Sequence, residues 1–160
     1  MIDIENLSDE LIEELLSSSK TIINEEKTKT EYKYKRKNIH IKDTNDRSYQ
    51  LYLRLNIKNA NDFSCGIALI LPDNKLLTLM RCNGNSHKHC NKLEKQTLEQ
   101  DFHIHKATER YYKAGLKIDG FAYITKDYRD IEGAYTLLIN QCNVQQPESI
   151  NKVLFGQNIW

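Results

Sequence analysis

Leu7, Leu11, Ile12, Leu15 and Leu16 recur at helical spacing, and Ser8 followed by Asp9 and Glu10 supplies an N-cap with acidic first-turn residues suited to the helix dipole. The spacing predicts a helix over about residues 8–20. Residues 25–42 follow a different pattern, with Lys27, Lys29, Lys33, Lys35, Arg36, Lys37 and Lys42 interleaved with Tyr32 and Tyr34. They read as a charged strand at a sheet edge, where lysines discourage strand addition and the tyrosines pack on the first helix. From residue 49 to 58 the alternation is strict. Tyr49, Leu51, Leu53, Leu55 and Ile57 face one way, and Gln50, Tyr52, Arg54, Asn56 and Lys58 the other.

A turn at residues 59–62, a buried strand over 65–71, a turn at 72–75 and a returning strand over 76–81 extend this into an antiparallel meander. Asn83-Gly84-Asn85 opens a polar loop that runs to Gln100. Residues 102–107 and 121–125 read as two further strands, joined by a connection over 111–120 with Gly115 and Gly120 as turn residues. Ile131, Ala134, Tyr135, Leu138, Ile139 and Cys142 mark an amphipathic helix over about 128–143, capped by Asp127 or Asp130. The expected fold is α+β, a single domain over 1–160. An antiparallel β-meander sheet of five or six strands, over about 28–125, is flanked by an N-terminal and a C-terminal helix. In the tail, 144–160, Val153, Leu154, Phe155 and Trp160 are apolar enough to pack on the body or on a partner.

Composition changes this picture little. With 39% hydrophobic and 28% charged residues, the chain is that of a folded domain. Its net charge of +1 gives no whole-protein field to attract a polyanion, so any such attraction is local. The start, Met1-Ile2-Asp3-Ile4-Glu5, lacks the basic and apolar regions of a signal peptide, which places the chain in the cytoplasm. The longest apolar run, residues 66–72, is about a third of the roughly 20 residues a membrane helix needs, so no membrane association is expected. In a reducing compartment the four cysteines read as thiols or ligands, and Cys65 and Cys142 fall within apolar patterns.

The chemistry concentrates in four of the five histidines, which form two H-x-H pairs, His87/His89 and His103/His105, near Cys82 and Cys90. Imidazole is the commonest metal ligand and titrates near neutrality, so the pairs define a metal or an acid/base site. On a strand, His103 and His105 project side by side from one face. Together with His87, His89, Cys82 and Cys90 they offer more donors than a tetrahedral zinc ion requires. The leading expectation is a non-catalytic protein in which zinc orders the 83–100 loop and the surface engages a host protein or ribonucleoprotein. The alternative is a toxin-like, metal-independent endoribonuclease using His89, His103, His105 and Arg110, with Lys106 assisting, Tyr111 adding a hydroxyl and Glu109 fixing a tautomer. A third class is a nucleic-acid-binding module, with Lys33, Lys35, Arg36 and Lys37 following phosphates. No Walker motif, nucleophile elbow or phosphate-cradling glycine loop is present, which argues against nucleotide-driven chemistry.

The run His89-Cys90-Asn91, then Phe102-His103-Ile104-His105, then Tyr111, Gly115, Asp119 and Ala122, resembles an uncharacterised family of small bacterial and phage proteins. The resemblance covers about residues 51–143. It implies a β-meander ending in an H-x-N … H-x-H core and a C-terminal helix, but no activity. It also implies a mobile-element setting, where toxins, antitoxins and inhibitors of host defence such as anti-CRISPR proteins occur.

Overall fold

The computed structural model describes Ile2, residues 4–146 and residues 159–160. After a 3-10 turn at Ile4–Asn6, helix α1 spans Asp9–Ser17. Ser8 caps it, its hydroxyl accepting from the Leu11 amide, and Ile12, Leu15 and Leu16 are buried, as the helical spacing predicts. Strands β1 (Lys20–Glu25), β2 (Lys29–Glu31), β3 (Tyr34–Asp43), β4 (Ser48–Asn56), β5 (Asn59–Ile70) and β6 (Leu76–Asn83) follow. A short hairpin comes next, β7 (His89–Asn91) and β8 (Gln96–Leu98), then β9 (His103–Lys106), α2 (Glu109–Lys113) and β10 (Phe121–Ile124). Helix α3 (Ile131–Gln141), capped by the Asp130 carboxylate on the Gly133 amide, leads into β11 (Val144–Gln145).

Among the described residues the main sheet has nine strands rather than five or six, in the order β10-β9-β6-β5-β4-β3-β1-β11, with β2 also paired to β3. Every pairing is antiparallel except β1 with β11. The charged segment is not an edge. β3 lies between β4 and β1, because Ile39 and Ile41 on its inner face need a covered position, and the lysine-rich end emerges beyond β1. Nor do the tyrosines pack on α1: Tyr32 is fully exposed, and Tyr34 donates to Asp62 and lies against Arg54. The β4–β5 turn sits at Ile57-Lys58, so residues 59–62 already belong to β5. The 83–100 loop contains the β7–β8 hairpin, and the 111–120 connection begins inside α2. Of the tail, β11 extends the sheet, whereas Val153, Leu154 and Phe155 lie outside the described residues.

One face of the sheet carries the core. Leu51, Leu53, Phe63, Cys65, Ile67, Met80, Cys82 and Ile104 pack with the buried faces of α1 and α3. The other face is polar and, among the described residues, carries no helix-packed core. Across it run two rows of paired residues, Arg36–Arg54–Ser64–Asn83–His103 and Asn38–Tyr52–Gly66–Arg81–His105–Ala122. Gly66 is required here, since a Cβ would stand 2.4 Å from the Tyr52 hydroxyl, whose ring covers it. A bulge in β6 at Leu79, where the register steps from Met80 to Thr78, turns both Thr78 and Arg81 onto the polar face.

Candidate functional site

Strand geometry fixes half of the histidine cluster directly. His103 pairs with Asn83 and His105 with Arg81, so the two imidazoles share the polar face of β9 while Ile104 points into the core beside Cys82. The loop pair reaches them through Asn91. Its side-chain amide donates to the Ala122 carbonyl at 2.7 Å, and its oxygen accepts from the Ala122 amide at 2.8 Å, so it pairs with β10 as a strand residue would. This clamps the β7–β8 hairpin over the sheet and brings all four rings together. Ring centroids lie 4.5 Å apart for His89–His105, 5.1 Å for His103–His105, 5.2 Å for His87–His103 and 5.7 Å for His89–His103.

Backbone carbonyls set the proton positions, because a carbonyl only accepts. His103 Nδ1 donates to Asp101 O at 2.7 Å and His105 Nδ1 to Asp119 O at 2.8 Å, leaving Nε2 of each as the lone-pair nitrogen. His89 Nε2 donates to Gly120 O at 2.9 Å and lies 3.0 Å from Asn91 Oδ1. Burial, aided by neighbouring cationic and imidazole groups, pulls His103 down to about 4 and His105 to about 2, and lowers His87 as well. At neutral pH the first two are uncharged.

The cysteines do not join them. Cys82 faces the core opposite the histidines, and burial pushes its thiol up to about 12, which removes the thiolate a metal or a nucleophilic role needs. Cys90 alternates away from His89 on β7 and is exposed. Four imidazoles remain of the six donors. Among the described residues no three His, Cys, Asp or Glu side chains are placed to hold a metal ion.

The cationic residues proposed for catalysis also lie elsewhere. Arg110 pairs with Glu94 over the rings of Tyr111 and Phe121, Lys106 pairs with Glu13, and Glu109 pairs with Lys113. The Tyr111 hydroxyl donates to Glu94. In their place stand residues that carry no sequence signal. A cavity of about 390 Å3 beside the imidazoles is lined by Arg54, Arg81, Asn83, Lys117 and Asp119 together with His87, His89 and His105. Arg81 Nη2 lies 3.2 Å from Asp119 Oδ2 and Lys117 Nζ 3.5 Å from Oδ1, both ion pairs by distance. Neither contact has hydrogen-bond geometry, so both carboxylate oxygens, 1% exposed as a side chain, lack a hydrogen-bond partner, as do Asn83 Oδ1 and Arg81 Nε.

A second cavity, of about 550 Å3, lies along the same face and is lined by Lys27, Lys29, Arg36, Asn38, Tyr52 and Thr78 among others. Of the four basic residues singled out in the sequence, Arg36 and Lys37 border it. Lys35 and Lys37 take the opposite parity on β3. The first lies over Trp160, and the second pairs with Glu25 at 2.7 Å and reaches the Ile159 carbonyl. Lys33 sits over Tyr34 at the turn.

An open, mostly antiparallel sheet with one helix-covered face and one polar face is the class these observations define. The chain belongs to the family of unknown function DUF6978, which it matches over residues 7–144. This agrees with the uncharacterised family anticipated from the histidine motifs. No curated protein and no solved structure matches the chain. No helix among the described residues is long and apolar enough to cross a membrane.

Proposed function

We propose that the protein is a non-catalytic binding module for single-stranded nucleic acid, with the polar face of the sheet as its contact surface. The observation that carries this reading is that the two cavities share Arg54 and Ser64 and so form one trough. From β3 to β9 it crosses five strands, about 19 Å at the usual strand spacing. Arg36, Arg54, Arg81, Lys27, Lys29 and Lys117, interspersed with Glu26, Glu31, Asp62 and Asp119, give it cationic positions for phosphates, and Tyr52, His87 and His89 give it flat surfaces for bases. Arg54 is held flat for this role, 3.7 Å from the Tyr34 ring centroid and within 3.5 Å of Asp62.

A concave face suits a flexible strand better than a duplex, whose base edges are read by an element that protrudes into a groove. Among the host macromolecules expected above, ribonucleoproteins present such strands. The same residues serve catalysis poorly. A general base works best with a pKa near the operating pH, and burial holds His103 and His105 far below it.

Fluorescence anisotropy with labelled single-stranded RNA and DNA 12-mers tests the proposal. The expected result is binding that weakens linearly in log Kd against log salt, with Arg36→Gln and Arg54→Gln each reducing the salt slope by about 1. The labelled RNA stays intact on a denaturing gel. Absence of binding at low salt overturns the reading, and cleavage of the RNA restores the endoribonuclease alternative.

A further inference from the structure

We infer that the trough reads one base, and that the base is guanine, recognised on its Watson–Crick edge by Asp119. This deepens the nucleic-acid reading and depends on it. Asp119 is the one carboxylate among the described residues whose two oxygens are both buried without a hydrogen-bond partner, and it lines the cavity beside the histidines. Arg81 and Lys117 neutralise its charge from 3.2 and 3.5 Å without aligned hydrogen bonds, so the carboxylate keeps acceptor capacity for a ligand that brings two donors side by side.

Among the bases, only guanine presents two adjacent donors, N1–H and the N2 amine, on that edge. Uracil offers one N–H between two acceptors, and adenine and cytosine each offer one amine beside an acceptor. The surroundings of Asp119 complete the match. Next to the guanine donors is the O6 acceptor, and next to Asp119 are the Arg81 guanidinium, whose Nε lacks a partner, and the Lys117 ammonium. The imidazole lone pair left on His105 Nε2 and the free Asn83 Oδ1 add uncharged acceptors to the same cavity. At the rim, Arg54 lines both cavities where they meet and is placed for the phosphate of the same nucleotide.

The test uses the full chain and a set of RNA 9-mers of uridine with one central G, A, C, U or inosine. The central G is expected to bind about tenfold more tightly than A, C or U, the discrimination typical of a bidentate base contact. Inosine, which keeps N1–H and lacks the 2-amine, falls between. Asp119→Asn is expected to abolish the preference while leaving salt-dependent binding. The inosine comparison on the unaltered protein stands even if that variant does not fold.

Equal affinity for all five oligonucleotides, or preference for another base, overturns the guanine assignment and leaves the nucleic-acid reading in place. No binding by any of them overturns both. GMP is the control for a free nucleotide, and is expected to bind far more weakly than the G-containing strand. Equal affinity would assign the cavity to the mononucleotide and overturn the strand reading, and with it the reading of a base within a strand.

Discussion

Asp43 ties the first helix to the sheet, and its removal gives the sharpest test of how this fold is held. The carboxylate is completely buried. Oδ1 accepts the amides of Asn45 at 2.9 Å and Arg47 at 3.0 Å, closing the β3–β4 turn. Oδ2 accepts from Arg47 Nε at 2.6 Å, the Tyr49 hydroxyl at 2.8 Å and the Ser18 hydroxyl, at the end of α1, at 3.1 Å. Burial alone would raise its pKa, but these donors outweigh it and hold the carboxyl at about 2 against an ordinary 3.8. That difference is worth about 2.5 kcal/mol to the fold at neutral pH. Because the folded pKa is depressed, the contribution is complete above pH 3.8 and is lost as pH falls through 2.

Asp43→Asn keeps the shape, removes the charge and turns an amine toward donors, leaving at least one unsatisfied at a further cost of about 1 kcal/mol. A total of about 3–4 kcal/mol lowers the melting temperature of a chain this size by about 10 °C. Urea unfolding of both proteins between pH 7 and pH 2 measures the gap, which is expected to shrink below pH 4. A variant within about 0.5 kcal/mol of the parent at pH 7, or a gap that stays constant on acidification, refutes the reasoning.

Lys20 is buried with its ammonium on the carbonyls of Leu16 at 2.9 Å, Ser18 at 2.7 Å and Cys142 at 3.0 Å, so one side chain caps the C-terminal ends of α1 and α3. Lys20→Met leaves these carbonyls without a donor and is expected to cost about 3 kcal/mol in urea unfolding. A change under about 0.5 kcal/mol would mean that the helix ends are satisfied without it. His103 and His105 predict an acid-sensitive fold. Their folded pKa values lie below the ordinary 6.5, so the stability of the neutral forms is complete above pH 6.5 and declines as pH falls toward 4. The expected slope approaches about 1.4 kcal/mol per pH unit for each histidine, and the His103→Asn, His105→Asn double variant flattens it. A parent stability that does not change between pH 6.5 and 4 removes the claim that these imidazoles are held neutral.

What could be read from the chain was what local periodicity encodes. The Ser8 cap, the buried stripe of α1, the alternation of β4 and the Asp130 start of α3 each follow from contiguous residues. Long-range pairing lies beyond that range. Nothing in the composition of β3 shows that Ile39 and Ile41 are enclosed by β1, or that β11 joins β1 in parallel. The histidine cluster was legible because a strand projects His103 and His105 together. Arg81 was hidden by the bulge at Leu79, since unbroken alternation along Leu77, Leu79 and Arg81 places the arginine on the core side. Asp119 and Lys117 follow α2 in a loop with no period, and Asn91 signals its role only through the backbone of a strand 31 residues away.

The polar face also bears on why the imidazoles are there at all. On the covered side of the same strands, Met80, Cys82 and Ile104 belong to the apolar core, and the buried hydroxyl beside them, that of Tyr128, is satisfied by the Asn83 and His103 carbonyls. On the opposite side, His103, His105, Asn83 and Asp119 are as deeply buried, and part of their hydrogen-bonding capacity is unused. Burying such groups incompletely satisfied weakens a fold relative to apolar residues of similar volume. Stability alone therefore does not account for them, which is consistent with the ligand-binding role proposed for this face. The tethers on Asp101, Asp119 and Gly120 carbonyls fix each ring, with His103 Nε2 facing the Asn83 amide at 3.5 Å and His105 Nε2 left with its lone pair beside the cavity. A cluster serving only to fill space would need no fixed tautomer.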